Sequence, residues 1–405
     1  MKAAGQLSRT KFTRRPRVVH VINSLSTGGA ETMLTRLVGA ADSSRFEHIV
    51  LPLRGGGSLT EQVRETGALT EALRVDGTRN FLTAPIRLAA RIRRLRPDLV
   101  QGWLLQGNLA ATVGASLGCP HAPVLWNVRW TLYDVDSERL STRALLRISG
   151  RLARNPKRII FNSQLAATQH EAIGYPSERA RVIPNGFDIE HFRPDPAART
   201  EVRRELDIPA DAEVVGMVAR YHPMKDHAMS LRAAARLVER RPNAMFVYAG
   251  RGVDAGNAEL SRLVQTMGLA GRVRLLGERQ DVVRLYASFD VYWMSSAARG
   301  ITEGFPNVIA EAMACGVPCV ATNIGDAASI IGQTGRVVRS RDWRAFSDAT
   351  AELLDAGPAT LRRLGKEARA RIERDFSLDA VAGAYHALYD EVLAQCHERR
   401  TRPLT

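Results

Sequence analysis

The sequence predicts an α/β protein built as two similar halves, each a parallel sheet covered by helices. Three observations carry that expectation. Short β-branched runs alternate with segments of helical periodicity. The alternation pauses at a linker holding Pro194 and Pro196 and then restarts. A chain of 405 residues is long for one core and ordinary for two domains. In the first half, residues 18–22 read as a buried strand and 30–38 as the helix after it. Pairs then repeat: strand 49–53 with helix 87–95, strand 99–103 with helix 109–117, strand 124–128 with helix 145–152, and strand 159–161 with helix 165–172. Residues 182–183 make a last strand, and Pro184-Asn185-Gly186 turns the chain out of it. After the linker, residues 214–219, 245–249, 273–276, 291–294, 317–321 and 337–338 are strand candidates separated by helical stretches. Ser377 is placed to cap a final amphipathic helix with Val381, Tyr385, Leu388, Tyr389 and Val392 on one side, long enough to pack back across the hinge. The expected domains are a basic arm at 1–17, a first Rossmann-like domain at 18–190, a second at 191–376, and the closing helix and tail at 377–405. Two such sheets joined by a short hinge are expected to leave a cleft between their carboxyl edges.

Composition narrows the class. Apolar residues make up 45% of the chain, yet no uninterrupted apolar run approaches the ~20 residues that a spanning helix needs. Lys2, Arg9, Lys11, Arg14, Arg15 and Arg17 precede no apolar core of the secretory kind, so a cytoplasmic location is expected. Cys119, Cys315, Cys319 and Cys396 form no disulfide framework, and Cys315 and Cys319 read as small buried hydrophobes. A net charge of +15 asks for a partner of opposite sign. Arg91, Arg93, Arg94 and Arg96 crowd one helical stretch, and Arg147, Arg151, Arg154, Lys157 and Arg158 crowd another. The leucines and isoleucines between them look like core faces, not base-stacking platforms. The expected partner is therefore an anionic inner-membrane surface and not nucleic acid, with a plain solvated face as the ordinary alternative for any one cluster.

The most informative stretch is residues 303–321. Glu303 and Glu311 have seven residues between them, Pro306 sits at a plausible first helical position, and Gly316 lies just past a plausible end. The stretch reads as loop, short helix, turn and strand. The helix start offers unpaired N–H groups to an anion, while the two carboxylates can accept hydrogen bonds from hydroxyls. A phosphorylated, polyhydroxylated ligand fits both, which points to a nucleotide-activated sugar. A glycosidase pair would hold its carboxyls about 5–9.5 Å apart. Eight helical steps cover roughly 12 Å. Two solvated surface charges remain the bland reading of the same spacing.

Other positions carry related chemistry. Ser24-Leu25-Ser26-Thr27-Gly28-Gly29-Ala30-Glu31 is a glycine turn opening a helix, suited to close approach by a phosphate. It lacks the dinucleotide fingerprint and the Gly-Lys-Ser/Thr phosphate loop, which counts against a dehydrogenase and a common nucleotide hydrolase. Arg220, straight after a strand, can fork two phosphate oxygens, and Lys225 adds a point charge, although Lys225 could equally pair with Asp226. His222 and His227 lie close by in sequence. Gly277 ends a strand at an edge where a ligand base could meet main-chain groups. Gln106-Gly107-Asn108 forms a polar turn.

Taken together, these pieces resemble the retaining nucleotide-sugar glycosyltransferases of the large bacterial family 4, which have the two-domain GT-B fold. The matching residues stand in family order over nearly the whole chain: Gly28-Gly29-Ala30-Glu31, Val182-Ile183-Pro184-Asn185-Gly186-Phe187-Asp188, Arg220 with Lys225, and the 303–321 stretch. The resemblance implies that Arg220 and Lys225 neutralise the donor diphosphate, helped by the turn at Gly29. It implies that Glu311 binds the ribose and Glu303 the donor sugar, steadied by main-chain groups of Gly304, Phe305, Pro306 and Asn307. It further implies catalysis without a metal or other cofactor, and same-face attack with a donor phosphate oxygen taking the acceptor proton. Many relatives carry a histidine after the strand that matches 124–128, where this chain has Asn127-Val128-Arg129-Trp130. Arg129 cannot act as a base at neutral pH. Gln106, Asn108 and Arg129 are assigned to the acceptor.

The expected function is transfer of a sugar from a nucleotide diphosphate sugar to a polysaccharide or lipid-linked glycan, by a protein at the inner face of the cell membrane. A sugar epimerase or phosphorylase on the same fold is the alternative enzyme. A non-catalytic binder of nucleic acid or anionic glycan leaves Glu303 and Glu311 unexplained.

Overall fold

A computed structural model describes residues 14–42, 44–75, 78–132, 139–297, 301–302 and 304–401. Along the chain the strands are β1 (Arg17–Ile22), β2 (Glu47–Pro52), β3 (Leu69–Thr70), β4 (Leu99–Trp103), β5 (Val124–Val128), β6 (Thr131–Leu132), β7 (Arg158–Phe161) and β8 (Ala180–Val182). They continue as β9 (Glu213–Val218), β10 (Ala244–Ala249), β11 (Val273–Leu275), β12 (Val291–Met294), β13 (Ile301–Thr302), β14 (Cys319–Thr322) and β15 (Arg336–Val338). Two units result: unit 1 holds Met1–Arg129, Arg139–Gly186 and Leu378–Thr405, and unit 2 holds Trp130–Glu138 and Phe187–Ser377. The division after Gly186 falls earlier than the Pro194 linker suggested. Residues 130–138 also sort with the second unit, because β6 pairs antiparallel with β13 through Thr131–Thr302 and Leu132–Ile301. Residues 1–13 of the basic arm lie outside the described residues; at its end, Arg14 pairs with Asp98 at 2.8 Å and Arg17 with Glu47 at 2.7 Å.

Unit 1 is a seven-stranded sheet in the order β3-β2-β1-β4-β5-β7-β8, with every pairing parallel. Its strands are apolar on both faces, and β1 shows why: Val18 and Ile22 enter one core cluster, Val19 and Val21 the other. Helices must therefore cover both sides. On one side lie the helix Gly29–Ala40 and the final helix Leu378–Thr401, which buries Val381, Tyr385, Leu388, Tyr389 and Val392. Each of those five contributes roughly 1.5–3 kcal/mol by burial, against at most about 1 kcal/mol for the half-exposed pair Arg45–Asp390. The apolar stripe read from the sequence thus seats the closing helix in unit 1. On the other side, the helix Leu104–Gly118 comes so close that a β-carbon on Gly107 would meet the Val21 carbonyl oxygen at 2.5 Å.

Unit 2 is a six-stranded parallel sheet ordered β11-β10-β9-β12-β14-β15. Alternation again feeds two clusters, with Tyr292 and Met294 on one face of β12 and Val291 and Trp293 on the other. In both units the connection from the central strand runs one way and the next strands run the other, so each sheet has a point where its winding reverses. These points lie between β1 and β4 in unit 1 and between β9 and β12 in unit 2. Loops diverge there, opening a crevice at the carboxyl ends of the strands. Among the described residues no helix is long and apolar enough to cross a membrane.

Candidate active site

Unit 2 places its predicted site residues around the reversal between β9 and β12. The chain leaves β9 into Ala219 and Arg220, whose position is set by main-chain bonds to the neighbouring loop: Ala219 N–H to the Ala249 carbonyl and Tyr221 N–H to the Arg251 carbonyl, both at 2.8 Å. That loop can approach because Gly250 adopts φ +145°, and a β-carbon there would strike the Ala219 oxygen at 2.2 Å. Arg220 is exposed and makes no hydrogen bond or ion pair with any described residue. A single turn, Pro223–Lys225, follows, with the His222 side chain accepting from Met224 N–H at 3.2 Å. Lys225 is buried. Its loop is tied to the one leaving β12: the Ser295 hydroxyl donates to the Lys225 carbonyl at 2.7 Å, and Ala297 N–H donates to the Met224 carbonyl at 2.7 Å.

Two histidines report the field of these cations. His222 is held below its ordinary value by desolvation first, then by Arg220 and Lys225. His227 is pushed down to about 4, chiefly by burial, with Lys225 adding to it. Positive charge is thus concentrated at this edge, which suits an anion.

The helix Asn307–Ala314 follows at the same edge, packed near β12 and β14. Pro306 stands at its N-cap with extended backbone, one position before the first-turn place expected for it. Its missing N–H costs nothing there, and its carbonyl accepts from Ile309 N–H at 3.1 Å. Phe305 is buried against Phe187 and Phe376, with ring centroids at 6.0 and 5.6 Å, which anchors the loop that carries the helix start. The Gly304 carbonyl accepts from Asp326 N–H at 2.9 Å. Glu311 is half-buried on this helix, and Tyr286 donates its phenolic hydrogen to Glu311 Oε2 at 3.0 Å. Nothing in the sequence marks Tyr286 as part of the site, since it has the spacing of an ordinary core aromatic. Glu303 lies outside the described residues. Gly277 departs from expectation: its N–H donates to the Val253 carbonyl at 2.8 Å and its carbonyl accepts from Gly250 N–H at 2.7 Å, so its donor is not available to a ligand base. Cys315 and Cys319 are free, buried thiols, as expected, and burial raises Cys315 to about 12.

Unit 1 gathers Gly28, Gly29, Gln106, Asn108 and Arg129 at the carboxyl ends of the adjacent strands β1, β4 and β5. Gly28 is the N-cap and Gly29 the first residue of its helix. The anion at that helix start is the chain's own: a β-carbon on Gly28 would lie 2.4 Å from Glu31 Oε2, so the carboxylate folds back over the turn. Desolvation raises the Glu31 carboxyl above its ordinary value. Two of the three residues assigned to the acceptor, Asn108 and Arg129, make bonds within the fold. Gln106-Gly107-Asn108 is not a turn but the start of the helix Leu104–Gly118; the turn is Leu104 itself, at φ +61°. Gln106 is exposed, whereas Asn108 is buried and spends both ends of its amide on Asn127, accepting from its N–H at 3.0 Å and donating to its carbonyl at 3.2 Å. Asn108 therefore locks a helix to β5.

Arg129 is also committed within the fold. It is buried, donates to Asn127 Oδ1 at 2.9 Å, to the Tyr385 hydroxyl at 3.0 Å and to Asn185 Oδ1, and lies over the Trp103 ring at 5.5 Å. Asn185 precedes the exit of the chain from unit 1 and Tyr385 belongs to the final helix, so the guanidinium ties distant segments of unit 1 together. These bonds give Arg129 a structural role in unit 1.

Comparison with known proteins agrees with this architecture. The chain matches the family described as Glycosyltransferase Family 4 over residues 27–191 and that described as Glycosyl transferases group 1 over residues 212–356. It is 27% identical to EpsF of Bacillus subtilis (strain 168) over 384 residues, covering 88% of this chain and 94% of that one. It is 30% identical to the D-inositol 3-phosphate glycosyltransferase of Corynebacterium jeikeium (strain K411) over 304 residues, 69% of this chain and 70% of the relative. The crystal structure of Anabaena HepE in complex with UDP superposes with a TM-score of 0.79 at 22% identity, covering 94% of this chain and 100% of HepE. With matches to both halves and a relative of that identity aligned over more than two thirds of its length, the chain belongs to the family 4, group 1 glycosyltransferases of the GT-B fold.

Proposed function

We propose that the protein is a retaining glycosyltransferase that moves a sugar from a nucleoside diphosphate sugar to a polysaccharide or lipid-linked glycan at the inner face of the cell membrane, without a metal. The observation that carries this reading is the pairing of exposed, unpartnered Arg220 with buried Lys225 at the reversal of the unit 2 sheet, on the edge that also bears Glu311. In the step proposed, the bond from the sugar's anomeric carbon to the diphosphate oxygen breaks. Negative charge grows on the departing diphosphate, and Arg220 and Lys225 are already in place to meet it. Fixed cations aimed at charge that develops in the transition state speed the step without reorganisation. The acceptor hydroxyl bonds to the same face of the anomeric carbon, and its proton passes to a donor phosphate oxygen. Glu311 takes the ribose hydroxyls, and the family resemblance gives Glu303 the sugar.

Membrane association is supported by the helix Leu140–Leu152 of unit 1. Its inner side buries Leu146, Ser149 and Gly150, while Leu140 is 80% and Ile148 46% exposed. Arg147 and Arg151 share that outer face, exposed and without a hydrogen-bond or ion-pair partner among the described residues. The other basic stretch is a weaker candidate, because Arg91 and Arg94 both pair with Glu71.

Thermal-shift measurement against UDP, GDP, ADP and their hexose conjugates, with and without EDTA, tests the donor class. A ligand at a hundred times its Kd adds about 2.7 kcal/mol to stability. At least one nucleotide is expected to raise the melting temperature equally in both conditions. No shift with any of them ends the donor assignment, and a shift abolished by EDTA ends the metal-free account.

A further inference from the structure

The orientation of Glu311 is not set by its own helix alone. A glutamate keeps three rotatable side-chain bonds, and holding two neighbouring ribose hydroxyls requires its carboxylate plane to be fixed. In unit 2 the constraint comes from a different element, the helix Val282–Ser288. Tyr286 on that helix is fully buried and directs its hydroxyl at Glu311 Oε2, 3.0 Å away. The ring has no room to swing. Tyr292 meets it edge-on at 5.5 Å and 67°, and Phe289 does so at 6.2 Å and 87°. Tyr292 spends its own hydroxyl on the Val218 carbonyl at 3.2 Å, so Glu311 is the acceptor for Tyr286 among the described residues. Burial first, and then the Glu311 charge, keep the phenol protonated far above its ordinary range, so this oxygen stays a donor at any working pH. A donor to one carboxylate oxygen restricts rotation of the whole group.

We infer that Tyr286 is a positioning residue for donor recognition: it holds Glu311 in the orientation that reads the ribose 2′ and 3′ hydroxyls, and so sets the preference for ribonucleotides over dideoxyribonucleotides. This deepens the reading of Glu311 as the ribose carboxylate and rests on it. A purely structural tyrosine, satisfied by whatever acceptor was nearby, would affect stability without affecting that preference.

Calorimetric titration of the full-length protein with UDP, GDP and ADP and with their 2′,3′-dideoxy analogues separates the two. In the unmodified protein the best-bound ribonucleotide is expected to bind more than tenfold better than its dideoxy analogue, and Glu311→Ala is expected to remove the difference. Tyr286→Phe deletes one oxygen; it should cut the preference by about tenfold, the scale of one hydrogen bond to a charged group, with the dideoxy affinity unchanged. Tyr286→Met, which also lacks the oxygen and keeps Glu311 intact, should show the same loss even if Tyr286→Phe folds poorly. A full ribose preference in either Tyr286 variant, lost in Glu311→Ala, overturns the role of Tyr286 and spares that of Glu311. Absence of any ribose preference in the unmodified protein, or its survival in Glu311→Ala, overturns both.

Discussion

Arg220 and Lys225 show how environment decides what a charged side chain is for. An arginine facing water with no carboxylate beside it gains nothing for the fold, which leaves Arg220 available to an anion, as the proposed donor diphosphate requires. Arg220→Ala and Lys225→Ala are each expected to lower kcat by about 10²–10³, the range for removing one preorganised stabiliser of transition-state charge. Melting temperature should stay nearly constant for the exposed Arg220. Unchanged sugar transfer by both purified variants would refute the site. The places of these two residues after a strand, and of Glu311 on a short helix, were readable from the sequence because they are local properties. The internal bonds of Asn108, Arg129 and Gly277 were not legible for the opposite reason. Whether a polar group is available depends on its partners, and Tyr385, which occupies Arg129, lies 256 residues further along the chain.

Among the elements, the helix Leu140–Leu152 carries the sharpest expectation. Its outer face joins bare Leu140 and Ile148 to unpartnered Arg147 and Arg151, the composition of a helix that lies in a lipid headgroup layer. Each arginine near an anionic surface is worth about 1 kcal/mol. The protein should float with vesicles containing phosphatidylglycerol and not with pure phosphatidylcholine, and Arg147→Glu combined with Arg151→Glu should reduce binding at least about tenfold. Equal flotation with both lipids would remove the electrostatic basis of the proposal. The sequence marked this cluster and the 91–96 cluster alike. Only packing distinguishes them, by setting Glu71 against Arg91 and Arg94 and by setting Glu391 of the final helix against Arg158.

For the molecule as a whole, buried imidazoles make stability depend on pH. In unit 1 the Trp103 indole, a donor only, gives its hydrogen to His20 Nδ1 at 3.1 Å, so His20 must carry its own proton on Nε2 and donate it to His48 Nδ1 at 2.8 Å. A second proton on His48 would break that bond. His48, His170 and, in unit 2, His227 are each pushed down to about 4, burial being the largest cause in every case. Unfolded histidines titrate near 6.5 and therefore bind protons that the native state refuses between that value and about 4. Stability is complete above the unfolded value and falls as pH drops through this window, on the order of 3 kcal/mol per histidine over its full width. Melting curves should be flat above neutrality and shift steeply downward toward pH 4, and a melting temperature that held constant down to that pH would contradict the buried-neutral assignment.

Strand order, helix order, the doubling of the α/β pattern and the apolar stripe of the closing helix all follow from spacing along the chain, because side-chain direction repeats with the backbone period and burial selects one face. The same local logic placed a helix start and two acids in the 303–321 stretch. The unit to which residues 130–138 belong, the engagement of Asn108 and Arg129 in internal bonds, and the grip of Tyr286 on Glu311 were settled by tertiary structure alone. Each is a pairing between groups, and hydrogen-bond partners are chosen by distance in space, which no period in the chain encodes.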